Sequence, residues 1–167
     1  IIATENALVA SLGFTASSHS AVRRTASIIL LGVISVANLS SFFLVARSLI
    51  TGAHQLSGYE LLVSAIAIFL TNIIVFALWY WEIDSPGLTG SKWSKHDKDF
   101  QFTQQDLEKD FPGWQPKFID YLYLSSTNAI NFAAADAKPL THQAKGLMGT
   151  QALISAFTLA LVVARSV

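Results

Sequence analysis

The chain has 167 residues, is 52% hydrophobic and only 13% charged, and carries no formal net charge. Soluble domains hold about 25% charged residues, so this deficit and the positive mean hydropathy point to a membrane protein and away from a nucleic-acid binder. The lack of cysteine excludes disulfides, thiolate metal sites and cysteine nucleophiles.

Residues 1–24 mix apolar and small polar side chains and close on Arg23-Arg24. The first residue is Ile1 and the sole methionine is Met148, so this stretch is expected to be the N-terminal remnant of a longer chain. Residues 25–47 contain the uncharged run Thr25–Ala46, bracketed by Arg24 and Arg47. At 1.5 Å per residue it reaches about 33 Å, enough for a hydrocarbon core of about 30 Å, and is expected to be a transmembrane helix. Asn38 is its one strongly polar interior residue.

Residues 59–81 form a second apolar run, about 34 Å long as a helix. Glu60 stands near its start, where a helix N-terminus favours negative charge, and Trp79-Tyr80-Trp81 close it as an interfacial aromatic belt. Asn72, like Asn38, stands mid-span, where a polar residue is compatible with a transporter but more often ties helices together. Residues 82–117 change character, with seven acids and five lysines among them and breaks at Pro86, Gly87 and Gly90. They are expected to be a long polar extramembrane loop. Thr103–Phe111 is read as one or two helical turns, with Thr103 as N-cap and Asp106 completing a capping box. Phe100, Phe102, Phe111 and Trp114 are candidates to pin the loop to the rest of the protein.

Residues 118–141 begin with a helix-compatible stretch too short to cross a bilayer, at about 24 Å counted from Lys117. Its polar residues gather late, at Ser125, Ser126, Thr127, Asn128 and Asn131, and run into Ala133-Ala134-Ala135. Residues 142–167 hold a third apolar run, Ala144–Ala164, with Thr141 placed to cap it. Gly146 and Gly149 near its start suit a hinge or close helix packing. Gln151, Ser155 and Thr158 recur at roughly helical spacing, either as a pore-facing stripe or as ordinary interhelical hydrogen-bonding groups.

The run Asp136-Ala-Lys-Pro139-Leu-Thr141-His-Gln-Ala144-Lys145 resembles the pore module of the potassium-channel superfamily, in which outer helix, pore helix, filter and inner helix follow one another. The resemblance aligns Asn131 with the filter threonine, Phe132 with the valine, and Ala133, Ala134 and Ala135 with the Gly-Tyr-Gly signature. The same stretch, with Trp79-Tyr-Trp-Glu82 and Asp120-Tyr-Leu-Tyr123, is similar to an uncharacterised group of bacterial integral membrane proteins, which implies a multi-pass protein of the bacterial plasma membrane. The departure at the filter is chemical. Inward carbonyl ladders need left-handed backbone at alternate positions, which glycine adopts freely and alanine adopts at about 1–2 kcal/mol each. A potassium-type ladder is therefore not expected.

The fold class implied is all-α and integral to the membrane, with three transmembrane helices, a short re-entrant pore helix and a long polar loop. The function implied is a tetrameric cation pore with a non-standard filter. Its candidate residues are Thr127, Asn128, Asn131, Phe132, Ala133, Ala134, Ala135, Asp136 and Lys138. Its partners are the lipid bilayer, further copies of the chain and monovalent cations. The alternative is a non-conducting accessory or structural subunit of a membrane complex on the same scaffold. No cofactor or metal is expected, because His19, His54, His96 and His142 lack ligand spacing. An enzyme is disfavoured, because the apolar runs hold no Asp, Glu or His between their ends. A pore loop entering from outside, the placement favoured here, puts 82–117 outside and Arg47 and Arg165 inside, whereas Arg23, Arg24, the five loop lysines, Lys138 and Lys145 argue for the opposite orientation.

Overall fold

The computed structural model describes residues 21–51, 58–84, 98–133 and 136–166. It is mostly helical. In chain order the elements are α1 (Ala21–Thr51), α2 (Gly58–Asp84), β1 (Phe100–Phe102), α3 (Thr103–Asp106), α4 (Phe118–Asn131), β2 (Ala137–Pro139) and α5 (His142–Ser166). The N-terminal stretch up to Ser20, the loop residues 85–97 and the bend residues Ala134 and Ala135 lie outside the described residues.

Among the described residues, two helices are long and apolar enough to cross a membrane, over Thr25–Ser48 and Leu62–Asp84. Only 17% of the first window is buried inside the protein, so α1 is not a core helix. Val33, Val36, Phe43 and Leu44 lie exposed along it, which suits hydrocarbon contact better than water. α2 is the central element, packed against α1, α4 and α5.

The second apolar helix runs one turn beyond the expected end at Trp81, to Asp84. Glu82 and Asp84 are therefore helical and buried rather than part of a solvated loop. The extension persists because the Asp84 carboxylate is satisfied, as shown below. A second difference concerns α3. It is a single turn whose N-cap is Phe102, not Thr103. The Gln105 side chain returns to accept from the Phe102 N–H at 3.1 Å, so the glutamine, not Asp106, guards that end. Thr103 is drawn off instead by the carbonyl of Asp136, which accepts from both its backbone N–H (3.0 Å) and its hydroxyl (3.1 Å).

The polar loop folds back onto the chain after the bend. β1 pairs antiparallel with β2, with Phe100 opposite Pro139, Gln101 opposite Lys138 and Phe102 opposite Ala137. The ladder extends at both ends, through Leu140 N–H to the Asp99 carbonyl (2.8 Å) and Thr103 N–H to the Asp136 carbonyl. Its free edges are blunted. The outward N–H groups of Phe100 and Phe102 go to the side chains of Asp84 and Gln105, and Pro139 has no donor.

The core sits where this ribbon meets the helices. Phe100 and Phe102 are fully buried and alternate with half-buried Gln101, the period of a one-sided strand. The Phe100 ring meets Tyr80 at 5.2 Å, and the Phe102 ring stands perpendicular to Tyr121 at 5.4 Å and touches Trp114 at 5.6 Å. Two of the four expected aromatic pins thus enter the core, Trp114 packs behind them, and Phe111 remains exposed. Phe100→Ala is expected to destabilise the protein by about 3–5 kcal/mol, measured by chemical unfolding in detergent, because it empties a buried aromatic site.

Candidate functional site

α4 is 14 residues long, about 21 Å, and so falls short of a hydrocarbon core. Its N-terminus is closed by Asp120, whose carboxylate accepts from the Lys117 N–H at 2.7 Å. Its buried side, Tyr121, Leu124, Ser125, Asn128 and Ala129, recurs at spacings of three and four and lies against α2 and α5. The other side shows Ile119, Tyr123 and Ile130, and an open groove of about 500 Å³ runs there between Ile119, Tyr123, Ser126 and Asp136.

The helix stops at Phe132, which adopts left-handed backbone at φ 55° and ψ 24°. A non-glycine residue there costs about 1–2 kcal/mol, and half-exposed Phe132 has little packing to offset it. Asn131, Phe132 and Ala133 are all exposed at this turn. No basic residue stands in the last turn of α4, so nothing within the helix neutralises the negative end of its dipole.

Beyond the bend the chain meets the loop that precedes α4. By Asp136 it is hydrogen-bonded to Thr103, and by Leu140 to Asp99. Asp99 also accepts from the Thr141 hydroxyl. Thr141 caps α5 as its position suggested, accepting from the Ala144 N–H at 3.2 Å. The Asp84 carboxylate draws these pieces together. One oxygen accepts from Asp99 N–H (2.7 Å) and Phe100 N–H (2.8 Å), and the other from the Tyr121 hydroxyl at 2.5 Å.

Burial first, and the neighbouring Asp84 charge second, push the Tyr121 phenol above its ordinary range. The folded state therefore holds the phenol proton more tightly than the unfolded chain does. The stability linked to it is full below the unfolded phenol's pKa of about 10 and falls as pH rises beyond that value. Melting temperatures across pH 9–11 should show this loss in the native chain and a shallower one in Tyr121→Phe, which has no phenol there to titrate.

The residues proposed from sequence divide into two groups. Asn128 lies inside the protein, 2% exposed. Its amide donates to the Met148 carbonyl (3.0 Å), the Gln151 side-chain oxygen (2.9 Å) and the Tyr80 hydroxyl (3.3 Å). Gln151 in turn accepts from the Tyr80 hydroxyl at 2.5 Å and donates to the Ser125 hydroxyl and carbonyl at 2.6 and 3.1 Å. Ser125 donates to the Ile73 carbonyl at 2.7 Å, and Asn72 donates to Ser155 at 3.0 Å. The stripe Gln151, Ser155 and Thr158 thus faces the interior of the single chain, and its first two members tie α5 to α2 and α4.

The second group is accessible. Thr127 returns its hydroxyl to the carbonyls of Tyr123 and Leu124. Lys138 reaches Asp106 at 3.9 Å rather than Asp136, with its side chain 80% exposed. Such a pair contributes about 0–1 kcal/mol, so Lys138→Met is expected to leave the unfolding midpoint within error of the native chain. Gly146 and Gly149 are exposed on α5, and a Cβ at either would meet nothing within 4 Å. They make no close helix packing within the chain. The further alanines of the bend, Ala134 and Ala135, lie outside the described residues.

Asp84, Asp99 and Tyr121 were not singled out by the sequence. The available signal was Asp84 just beyond an aromatic belt, at the helical distance where a span should already have ended. No group of three or more potential metal-ligating side chains occurs among the described residues. No protein family, curated protein or solved structure matches the chain.

Proposed function

We propose that the chain forms a tetrameric, cation-selective pore in the membrane, with α5 as a third crossing and α4 as a re-entrant pore helix. The observation that carries this reading is a helix too short to cross, α4, that packs against two long ones, ends in an exposed turn, and is followed by a leg, Asp136–Leu140, hydrogen-bonded to the loop that precedes it. The negative end of α4, with no basic residue in its last turn, points its charge at that turn, which favours a cation there. Cation contacts come from Thr127, Asn131, Phe132, Ala133 and Asp136, through side chains and backbone oxygens of a loop wider than a carbonyl ladder. α5 has 25 residues, about 37 Å, and is long enough to cross.

Copies meet along the open face of α5, which carries Gly146, Gly149, Leu153 and Phe157. Small residues there permit the close approach that membrane helices need. Gly149→Leu is expected to convert the assembly to smaller species in native mass spectrometry from mild detergent, with helix content by circular dichroism unchanged. A native chain that is monomeric under all such conditions counts against the pore.

The second reading is a non-conducting structural subunit on the same scaffold. It is favoured by the inward turn of Asn128, Gln151 and Ser155, which are consumed by contacts within one chain and are not left for a hydrated axis. Stable co-purification with a different membrane protein, with no four-fold assembly, supports that reading.

A further inference from the structure

We infer that Asp84 is the positioning residue of the proposed pore mouth, acting through β1 on Asp136 and Lys138. The carboxylate sits at the end of α2, 4% exposed, and its hydrogen bonds go to Asp99, Phe100 and Tyr121. It holds the N–H of Asp99, just before β1, and of Phe100, the first residue of β1, and on its other oxygen the Tyr121 hydroxyl of α4. β1 then fixes the return leg at three places. The Asp99 carbonyl takes Leu140 N–H, Gln101 lies opposite Lys138, and Thr103 donates twice to the Asp136 carbonyl.

The geometry is that of a strap. Three residues of strand cannot hold a ribbon alone, since isolated two-stranded pairs are marginal in water. Here one end of β1 is fastened to a rigid helix by two hydrogen bonds to a single carboxylate oxygen. The other end is fastened through Thr103 to Asp136, the residue just before β2. Asp84 therefore sets where the Asp136 carbonyl and the Lys138 side chain stand relative to the end of α4. Asp99 serves the same strap from the other side, through the Thr141 hydroxyl.

The proposal deepens the pore reading, and its test does not depend on ion passage. Hydrogen exchange is measured on the full chain in lipid nanodiscs for the native protein, Asp84→Ala and the milder Asp84→Asn. Exchange at Thr103, Lys138 and Leu140 is expected to rise at least tenfold in Asp84→Ala and less in Asp84→Asn. Exchange at Met148 and Gln151 is expected to stay within twofold. A cross-strand disulfide from Gln101→Cys with Lys138→Cys, clean because the chain has no native cysteine, is expected to restore slow exchange at Thr103 and Leu140 in the Asp84→Ala background. If Asp84→Ala does not fold, Asp84→Asn with and without the disulfide carries the comparison. Three results overturn the proposal: unchanged exchange at the ribbon, an equal rise at ribbon and core, or failure of the disulfide to restore it. The predicted exchange pattern in a chain that passes no ions sinks the pore reading and leaves Asp84 as the strap's anchor.

Discussion

Replacing Gln151 with leucine is expected to lower the unfolding free energy of the chain in detergent by about 2–4 kcal/mol, since an orphaned buried polar group costs about 1–3 kcal/mol and a membrane-buried hydrogen bond about 0.6–2. Gln151 is fully buried and serves as the hub of a closed polar cluster. Its oxygen accepts from Tyr80 and Asn128, and its nitrogen donates to Ser125. Leucine fits the volume and satisfies none of them. Asn128 keeps the Met148 carbonyl, and Ser125 keeps the Ile73 carbonyl, so the loss falls short of the full sum. The double variant Asn128→Leu with Gln151→Leu should cost less than the two single changes added together, because each removes a partner the other has already lost. A denaturant series on the four proteins checks both statements. Strict additivity would mean that the two amides do not act as one unit.

The second large effect concerns the mouth. Asp136→Asn is expected to reduce cation flux about tenfold at low ionic strength. One carboxylate about 10 Å from an ion in water contributes about 0.4 kcal/mol, so four contribute about 1.6, a little more than one decade. The effect should shrink in about 1 M salt, where charges are screened beyond about 3 Å. The backbone carbonyl of Asp136, not its side chain, holds Thr103, so the substitution leaves the ribbon in place. Flux that is equal for Asp136→Asn and the native chain at low salt would remove this residue from the ion path.

Much of the helical layout was legible from sequence because apolar runs above 20 residues have few uses other than crossing a membrane. The two candidate spans, over Thr25–Ser48 and Leu62–Asp84, were legible from composition as 25–47 and 59–81. So was a short helix ending near Asn131, because polar residues crowd its last turns. The fold-back of the loop was not legible. Phe100-Gln101-Phe102 is only three residues long, too short for a strand pattern to register, and its partner lies on the far side of α4 in the chain. The burial of Asp84 was hidden for a related reason. A lone acid after an aromatic belt reads as the start of a solvated loop, and only the tertiary structure supplies its three donors.

The polar stripe on α5 shows the limit of periodicity. Gln151 and Ser155 lie one helical turn apart and share a face, which is equally true of a water-lined axis and of a hydrogen-bonded interior. The choice fell to the neighbours Asn128, Ser125 and Asn72, which meet them within one chain. This moves the proposed ion path away from α5's buried stripe and toward the exposed turn at Asn131–Ala133, whose conformation Phe132 sets at φ 55°.

The central claim is that this turn lines a conducting axis. Ion flux through vesicles reconstituted with the purified full chain tests it most directly. Passage of potassium or sodium well above that of protein-free vesicles, little passage of chloride, and dependence on Asp136 are expected. Vesicles that remain as tight to every monovalent ion as protein-free ones, with the chain folded and inserted, would contradict it.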